Sequence, residues 1–223
     1  MDIRALYDGL ISYLCFLPLL TFHEFAHAWT AWKCGDDTAH SQGRVTINPV
    51  SHMDLVGTVI LPMLALFLSS VGSGAANFII GWGRPVPVNI SQLRHPRRDD
   101  TLVALAGPAM NLALAVILLA LAKIGILTQA DNLIRISTQM AWISLILCFF
   151  NLLPIPPLDG SHVIKNIIRM SEETYLRLCQ FGLLAVIIAI QIPAVRAIVA
   201  GATALTFLII ARALGIDPAA LKS

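Results

Sequence analysis

The sequence predicts an all-α membrane protein, a bundle of about five to six transmembrane helices with a short re-entrant or β-hairpin element near its candidate site. Three observations predict this. Of 223 residues, 57% are hydrophobic and only 13% charged, about half the ~25% charged share of a soluble domain. Mean hydropathy is +0.78. Uncharged stretches over 101–122, 136–158 and, shorter, 178–195 approach or exceed the ~20 apolar residues that a crossing needs, and 55–83 runs uncharged for 29 positions.

Length and composition read as one membrane-embedded domain over 1–223, with a motif-bearing core of about 5–165 and C-terminal helices over about 175–213. No sizeable soluble domain fits beside it. The net charge of +2 selects no partner beyond the lipid bilayer, and no nucleic-acid partner is expected. Cys15, Cys34, Cys148 and Cys179 stand alone, so no CxxC signals a zinc knuckle or a redox pair. The first apolar stretch, Gly9 to Phe22, runs straight into polar residues without a small-residue cleavage site, so a removable signal peptide is not expected.

The first helix is predicted over 5–33, with Pro18 inside it and Cys34-Gly35 at its end. A polar stretch, Asp36 to Asp54, follows; its β-branched alternation at 43–48 suits a short strand. The segment 55–83 is broken at Gly72-Ser73-Gly74, and Arg84 to Val88 is extended by its prolines. Arg94 to Asp100 reads as a charged surface loop, followed by helices over 101–122 and 136–153. Pro154, Pro156 and Pro157 end the second of these. A polar, amphipathic piece over 159–177 leads to one or two apolar helices, with Pro193 and Arg196 between the halves.

Chemistry is concentrated in His23-Glu24-Phe25-Ala26-His27. Residues i and i+4 share a helix face, so both imidazoles can reach one metal ion, and Glu24 is near enough to act on a water there. This is the HExxH pattern of zinc metalloproteases. At the end of an apolar helix such residues are costly unless paired or ligated. A catalytic zinc needs a third protein ligand and an open position. Among the remaining candidates Asp159 stands out, because the prolines before it unwind the chain at the end of a crossing. Irregular backbone at that depth must face protein or water. Spacing alone also allows a surface aspartate before a turn glycine.

Three separated motifs in this order resemble the site-2 protease family of intramembrane metalloproteases. They are His23 to His27, Gly107-Pro108-Ala109-Met110-Asn111, and Asn151 to Gly160. Asn48-Pro49 with His52 and Asp54, and Gly81 to Val88, resemble its compact bacterial branch, which lacks PDZ and CBS domains. The likeness covers roughly residues 20–165. It implies that His23, His27 and Asp159 bind one zinc ion (Zn2+) and that Glu24 is the catalytic base. It also implies transmembrane protein substrates, cut in or near their spans in regulated intramembrane proteolysis. Asn111 and Asn151 are each open to two readings: an oxyanion or substrate-positioning group, or a hydrogen bond between helices. His52 and Asp54 are not assigned to the metal; they suit the start of the next segment.

Ligation constrains topology. If Asp159 joins the histidines, the C-terminal ends of the first helix and of the 136–153 helix lie on one side, and so does residue 100. The segment 55–83 must then enter and return, because one crossing would set the ligands apart by the ~30 Å hydrocarbon core. On the shared side lie Lys33, Arg44, Arg84, Arg94, Arg97, Arg98, Lys165, Arg169 and Arg177; opposite lie Arg4, Lys123 and Arg135. The positive-inside rule then turns the site toward the cytoplasm and sets the N-terminus outside; the resemblance implies a bacterial inner membrane.

Two rival readings use the same residues. A metal- or proton-coupled transporter would carry intramembrane His, Glu and Asp, but predicts paired repeats, and none is evident. A silent scaffold predicts a lost motif residue, and every position is filled.

Overall fold

The structure, a computed structural model, describes residues 2–73 and 81–221. It is 77% helical, with no strand among the described residues. Helix α1, Ile3–Lys33, continues through Pro18. At ~1.5 Å per residue it is longer than the ~30 Å hydrocarbon core. Its C-terminal end carries an interfacial anchor, with the Lys33 ammonium 4.4 Å from the Trp32 ring centroid.

The strand expected at 43–48 is absent. Two short helices, α2 (Thr38–Ser41) and α3 (Pro49–His52), frame a bent connection instead. Asn48 caps α3 by accepting from Val50 N at 3.1 Å, and Pro49 supplies the pre-set first residue. Local capping chemistry therefore outweighs the β-branched pattern, which has no strand to pair with among the described residues.

Asp54 starts the next segment. Its Oδ1 accepts from Val56 N at 3.0 Å and Gly57 N at 2.7 Å, opening a π-helical turn, Leu55–Ile60, that runs into α4, Leu61–Ser70. The Asp2 amide donates to the Ser70 carbonyl at 2.8 Å, so α4 reaches the N-terminal end of α1. At Trp82 the chain is again beside its starting point, with Trp82 N donating to Gly57 O at 3.1 Å. The expected break begins at Gly72 (φ +74°); Gly74 and the connection through residue 80 lie outside the described residues. The stretch 81–89 has no regular secondary structure. The Arg44 guanidinium donates to Arg84 O at 2.6 Å, and Asp36 accepts from Asn89 N at 2.7 Å.

Residues Arg94 to Asp100 depart from the expected loop, because helix α5 spans Pro96–Thr128 and absorbs most of them. Pro96 fits the first helical position, and Asp99 accepts from His95 N at 2.8 Å, closing the helix start. Helix α6, Asp131–Asn151, returns antiparallel to α5. The polar piece after the prolines is two helices rather than one: α7 (Asp159–Ile167) and α8 (Glu172–Cys179), the latter capped by Ser171. Helices α9 (Gly182–Gln191) and α10 (Pro193–Ala213) complete the bundle.

Helices α1, α5, α6 and α10 are long and apolar enough to cross a membrane, and α8 with α9 adds a fifth span if that pair, bent by 60°, is one broken crossing. Among the described residues the count is therefore four or five, against the five to six expected. The core lies where α1, α5, α6 and α10 meet, around Leu19, Leu119, Leu145 and Phe207. Ala115, Ala122, Ala141 and Ala211 are fully buried there. Small residues allow the close helix approach that association in lipid requires. Apolar side chains such as Leu127, Phe181 and Ile198 stay exposed on the outside, as a lipid-facing surface demands.

Leu119 is enclosed on all sides, so Leu119→Ala leaves a cavity. It is expected to cost about 2–5 kcal/mol, read as a lowered thermal midpoint of the purified protein in detergent.

Candidate metal centre

The site is built on the last third of α1. His23 and His27 occupy one face, four residues apart, and both are buried. Their Nε2 atoms are 3.0 Å apart. Asp159 arrives from the other end of the sequence. Its Oδ2 is 3.2 Å from His23 Nε2 and its Oδ1 is 3.4 Å from His27 Nε2. Three donor atoms, one per residue, lie within 4.8 Å of one another.

Local chemistry explains how Asp159 gets there. The prolines end α6, and the chain turns back so that Asp159 opens α7, with its side chain in the first turn. Gly160 makes that turn possible. A Cβ at this position would lie 2.5 Å from the Leu152 carbonyl carbon and 2.8 Å from the Leu153 oxygen. A second glycine brings α5 against the imidazoles. A Cβ on Gly107 would lie 2.5 Å from His23 Cε1 and 2.7 Å from His23 Nε2, and closer still to His27 Nε2.

The donor set fits a zinc ion. Two neutral imidazoles and one carboxylate with an open fourth direction are a known catalytic zinc set. The carboxylate is incompletely satisfied by protein: Asp159 Oδ2 is buried and accepts no hydrogen bond among the described residues. A cation would complete it. Outer contacts hold the rings. His27 Nδ1 donates to the Val103 carbonyl at 2.7 Å, and His23 Nδ1 is 3.1 Å from Asn111 Nδ2.

A cavity of about 630 Å³ opens onto this cluster, walled by Glu24, Trp82, Val86, Asn151 and Asp159 among others. Glu24 therefore shares a chamber with the three donors. The two asparagines part company. Asn151 lines the cavity and donates through Nδ2 to Leu147 O at 2.9 Å. Asn111 is fully buried and makes the interhelical contact to His23. His52 and Asp54 stand apart from the donor cluster. The His52 Nε2 donates to Thr46 O at 2.8 Å, and burial pushes its pKa below the ordinary histidine value.

One polar cluster escaped the sequence reading. Asp100, at 2% exposure, meets Lys165 Nζ at 2.9 Å, His162 Nδ1 at 3.1 Å and Asn166 Nδ2 at 2.7 Å. It pins α7, and with it Asp159, to the start of α5. The available signal was the spacing of His162, Lys165 and Asn166 along one side of a short helix. The partner, Asp100, was hidden in what read as a solvated charge run.

Comparison with known proteins narrows the chemistry. The chain is 39% identical over 169 residues to YwhC of Bacillus subtilis (strain 168), described as a candidate zinc metalloprotease; the match covers 72% of this chain and 71% of that one. The chain belongs to peptidase family M50, the site-2 proteases. The M50 profile itself matches residues 121–190. The chain is also similar to candidate zinc metalloproteases called Rip2. The one from Mycolicibacterium smegmatis is 31% identical over 81% of this chain and 66% of its own length. The one from Mycobacterium tuberculosis (strain H37Rv) is 34% identical over 79% and 65%. No solved structure matches the chain significantly. The profile-matched stretch holds Asn151 and Asp159, whereas the histidine pair lies outside it and is joined to it only by folding. The protein is thus a membrane-embedded M50 metalloprotease.

Gly107→Ala drives a methyl group into both imidazoles and is expected to abolish stoichiometric zinc binding, measured by metal analysis of the purified protein. Its helical circular dichroism should match wild type.

Proposed function

We propose that this M50 peptidase is an intramembrane zinc metalloendopeptidase that hydrolyses peptide bonds in or near the transmembrane segments of other membrane proteins, in regulated intramembrane proteolysis. The observation that carries the reading is the meeting of His23, His27, Asp159 and Glu24 around one cavity inside a helix bundle. We further propose a single membrane-embedded catalytic domain, an inner-membrane location and a cavity that opens toward the cytoplasm.

In this reading His23 Nε2, His27 Nε2 and the Asp159 carboxylate would hold one zinc ion. Bound there, zinc would supply a Lewis acid and would lower the pKa of its water toward neutrality. The Glu24 carboxylate takes the proton of the attacking water and returns it to the departing amine. Asn151, on the cavity wall, is placed to orient the substrate backbone.

A substrate helix must first unwind, because its carbonyls are engaged and its backbone is shielded. The stretch 81–89 is a natural support for the unwound segment. It has no regular secondary structure, borders the cavity, and is held at Trp82 and Arg84 by Gly57, His52 and Arg44. Main-chain pairing to such an edge gives affinity without demanding one side-chain sequence.

Two outcomes are expected. Co-expressed with candidate single-span membrane proteins, wild type should release a fragment that Glu24→Gln does not, since glutamine keeps the size and leaves the zinc donors intact but accepts no proton. Equal fragments from both would remove Glu24 from the chemistry. For orientation, a tag at the N-terminus should be reached by a membrane-impermeant reagent from outside intact cells. Labelling only after lysis would reverse the topology.

A further inference from the structure

Helix α5 meets both imidazoles along a single stripe. Val103, Gly107 and Asn111 are spaced four residues apart and share one face. Val103 offers a backbone carbonyl to His27 Nδ1, Gly107 offers space, and Asn111 offers an amide to His23 Nδ1. The GPxxN motif is thus the surface on which the histidine pair rests.

Asn111 is the member whose chemistry is unassigned. It is 0% exposed and is not part of the cavity wall. Its Oδ1 is buried with no hydrogen-bond partner among the described residues. It also lies behind His23: Nε2 of that ring faces His27 and Asp159, and Nδ1 faces Asn111. A substrate carbonyl in the cavity cannot reach it past the imidazole.

We propose that Asn111 is a positioning residue for the metal. Its amide oxygen accepts the Nδ1 proton of His23 and so presents the Nε2 lone pair to zinc. This rests on the reading of His23, His27 and Asp159 as the zinc donors. A neutral imidazole has one N–H, so a ring that gives its Nε2 lone pair to a metal carries the proton on Nδ1 and needs an acceptor there. His27 has the Val103 carbonyl for that purpose. Asn111 serves His23, because a half-turn of the side-chain amide exchanges oxygen and nitrogen at unchanged shape. That half-turn sets the unpartnered Oδ1 against Nδ1.

The test is zinc affinity of the full-length protein in detergent, by competition with a chelator. Wild type is compared with Asn111→Leu, Asn111→Asp and His23→Ala, and visible spectra of the cobalt-loaded forms are recorded. Leucine keeps the bulk and removes the acceptor; zinc affinity should fall about 10–100-fold, with an altered cobalt spectrum. Aspartate is all acceptor; affinity should equal or exceed that of wild type, with a wild-type-like spectrum. Wild-type affinity in Asn111→Leu, or a loss in Asn111→Asp of tenfold or more, overturns the proposal. If the leucine variant does not fold, the aspartate comparison alone decides by the same threshold. His23→Ala separates the two levels of inference. If it binds zinc like wild type, the donor assignment itself falls. If it loses zinc while Asn111→Leu does not, only the role of Asn111 falls.

Discussion

The structure depends on one constraint: three donor side chains, from residues 23, 27 and 159, must meet within a few ångströms inside an apolar bundle. Two come from a single helix face and cost nothing in topology. The third must be carried across most of the sequence. Its arrival forces the C-terminal ends of α1 and α6 to the same side and sets α5 antiparallel to α6 between them. Residues 57 and 82, near the two ends of the segment that this condition expects to enter and return, lie side by side, with Trp82 N donating to Gly57 O.

Such a cluster is expensive in a low-dielectric setting unless every group has a partner. Helix α5 supplies most of them. Its early turns carry Asp100, which holds α7 through Lys165, His162 and Asn166. One turn later Val103 fixes His27, and Asn111 lies against His23 two turns beyond. Ser144 of α6 donates to the Asn111 carbonyl at 2.7 Å, tying that contact to the helix that delivers Asp159. A buried pair such as Asp100–Lys165 adds little net stability over an apolar pair. What it does provide is a fixed contact between α7 and the start of α5, with Lys165 also reaching Glu172 at 3.2 Å.

Hydrolysis also needs water and a polypeptide, neither of which belongs in hydrocarbon. Irregular backbone supplies the opening. The stretch 81–89 and the turn before α7 both border the cavity, and each is tied down by a few backbone bonds, such as Arg84 N to His52 O and Leu158 N to Ile155 O. The bent pair α8–α9 borders it as well, through Leu176 and Leu183. The chamber is therefore walled partly by long helices and partly by segments without a regular helical ladder, as the proposed entry of an unwound chain would require.

The sequence by itself determined the membrane setting, the helices α1, α5 and α6, the histidine pair and the neighbouring glutamate. These are local properties: hydropathy over a span, and spacing along one helix. It also determined the caps at Asp54 and the break at the prolines after Asn151. Tertiary structure alone decided the rest, because each remaining feature depends on what stands opposite. Residues 43–48 carry a strand-like pattern but have no partner strand among the described residues, and Asn48 and Pro49 win with a cap. Asp100 sits in a charge run that reads as solvated until Lys165 of a distant helix buries it. Asn111 has one amide for two plausible tasks, and only the position of His23, 88 residues away in sequence, selects between them. Residue spacing encodes what one helix can do, whereas the partner of a buried polar group is written in the packing.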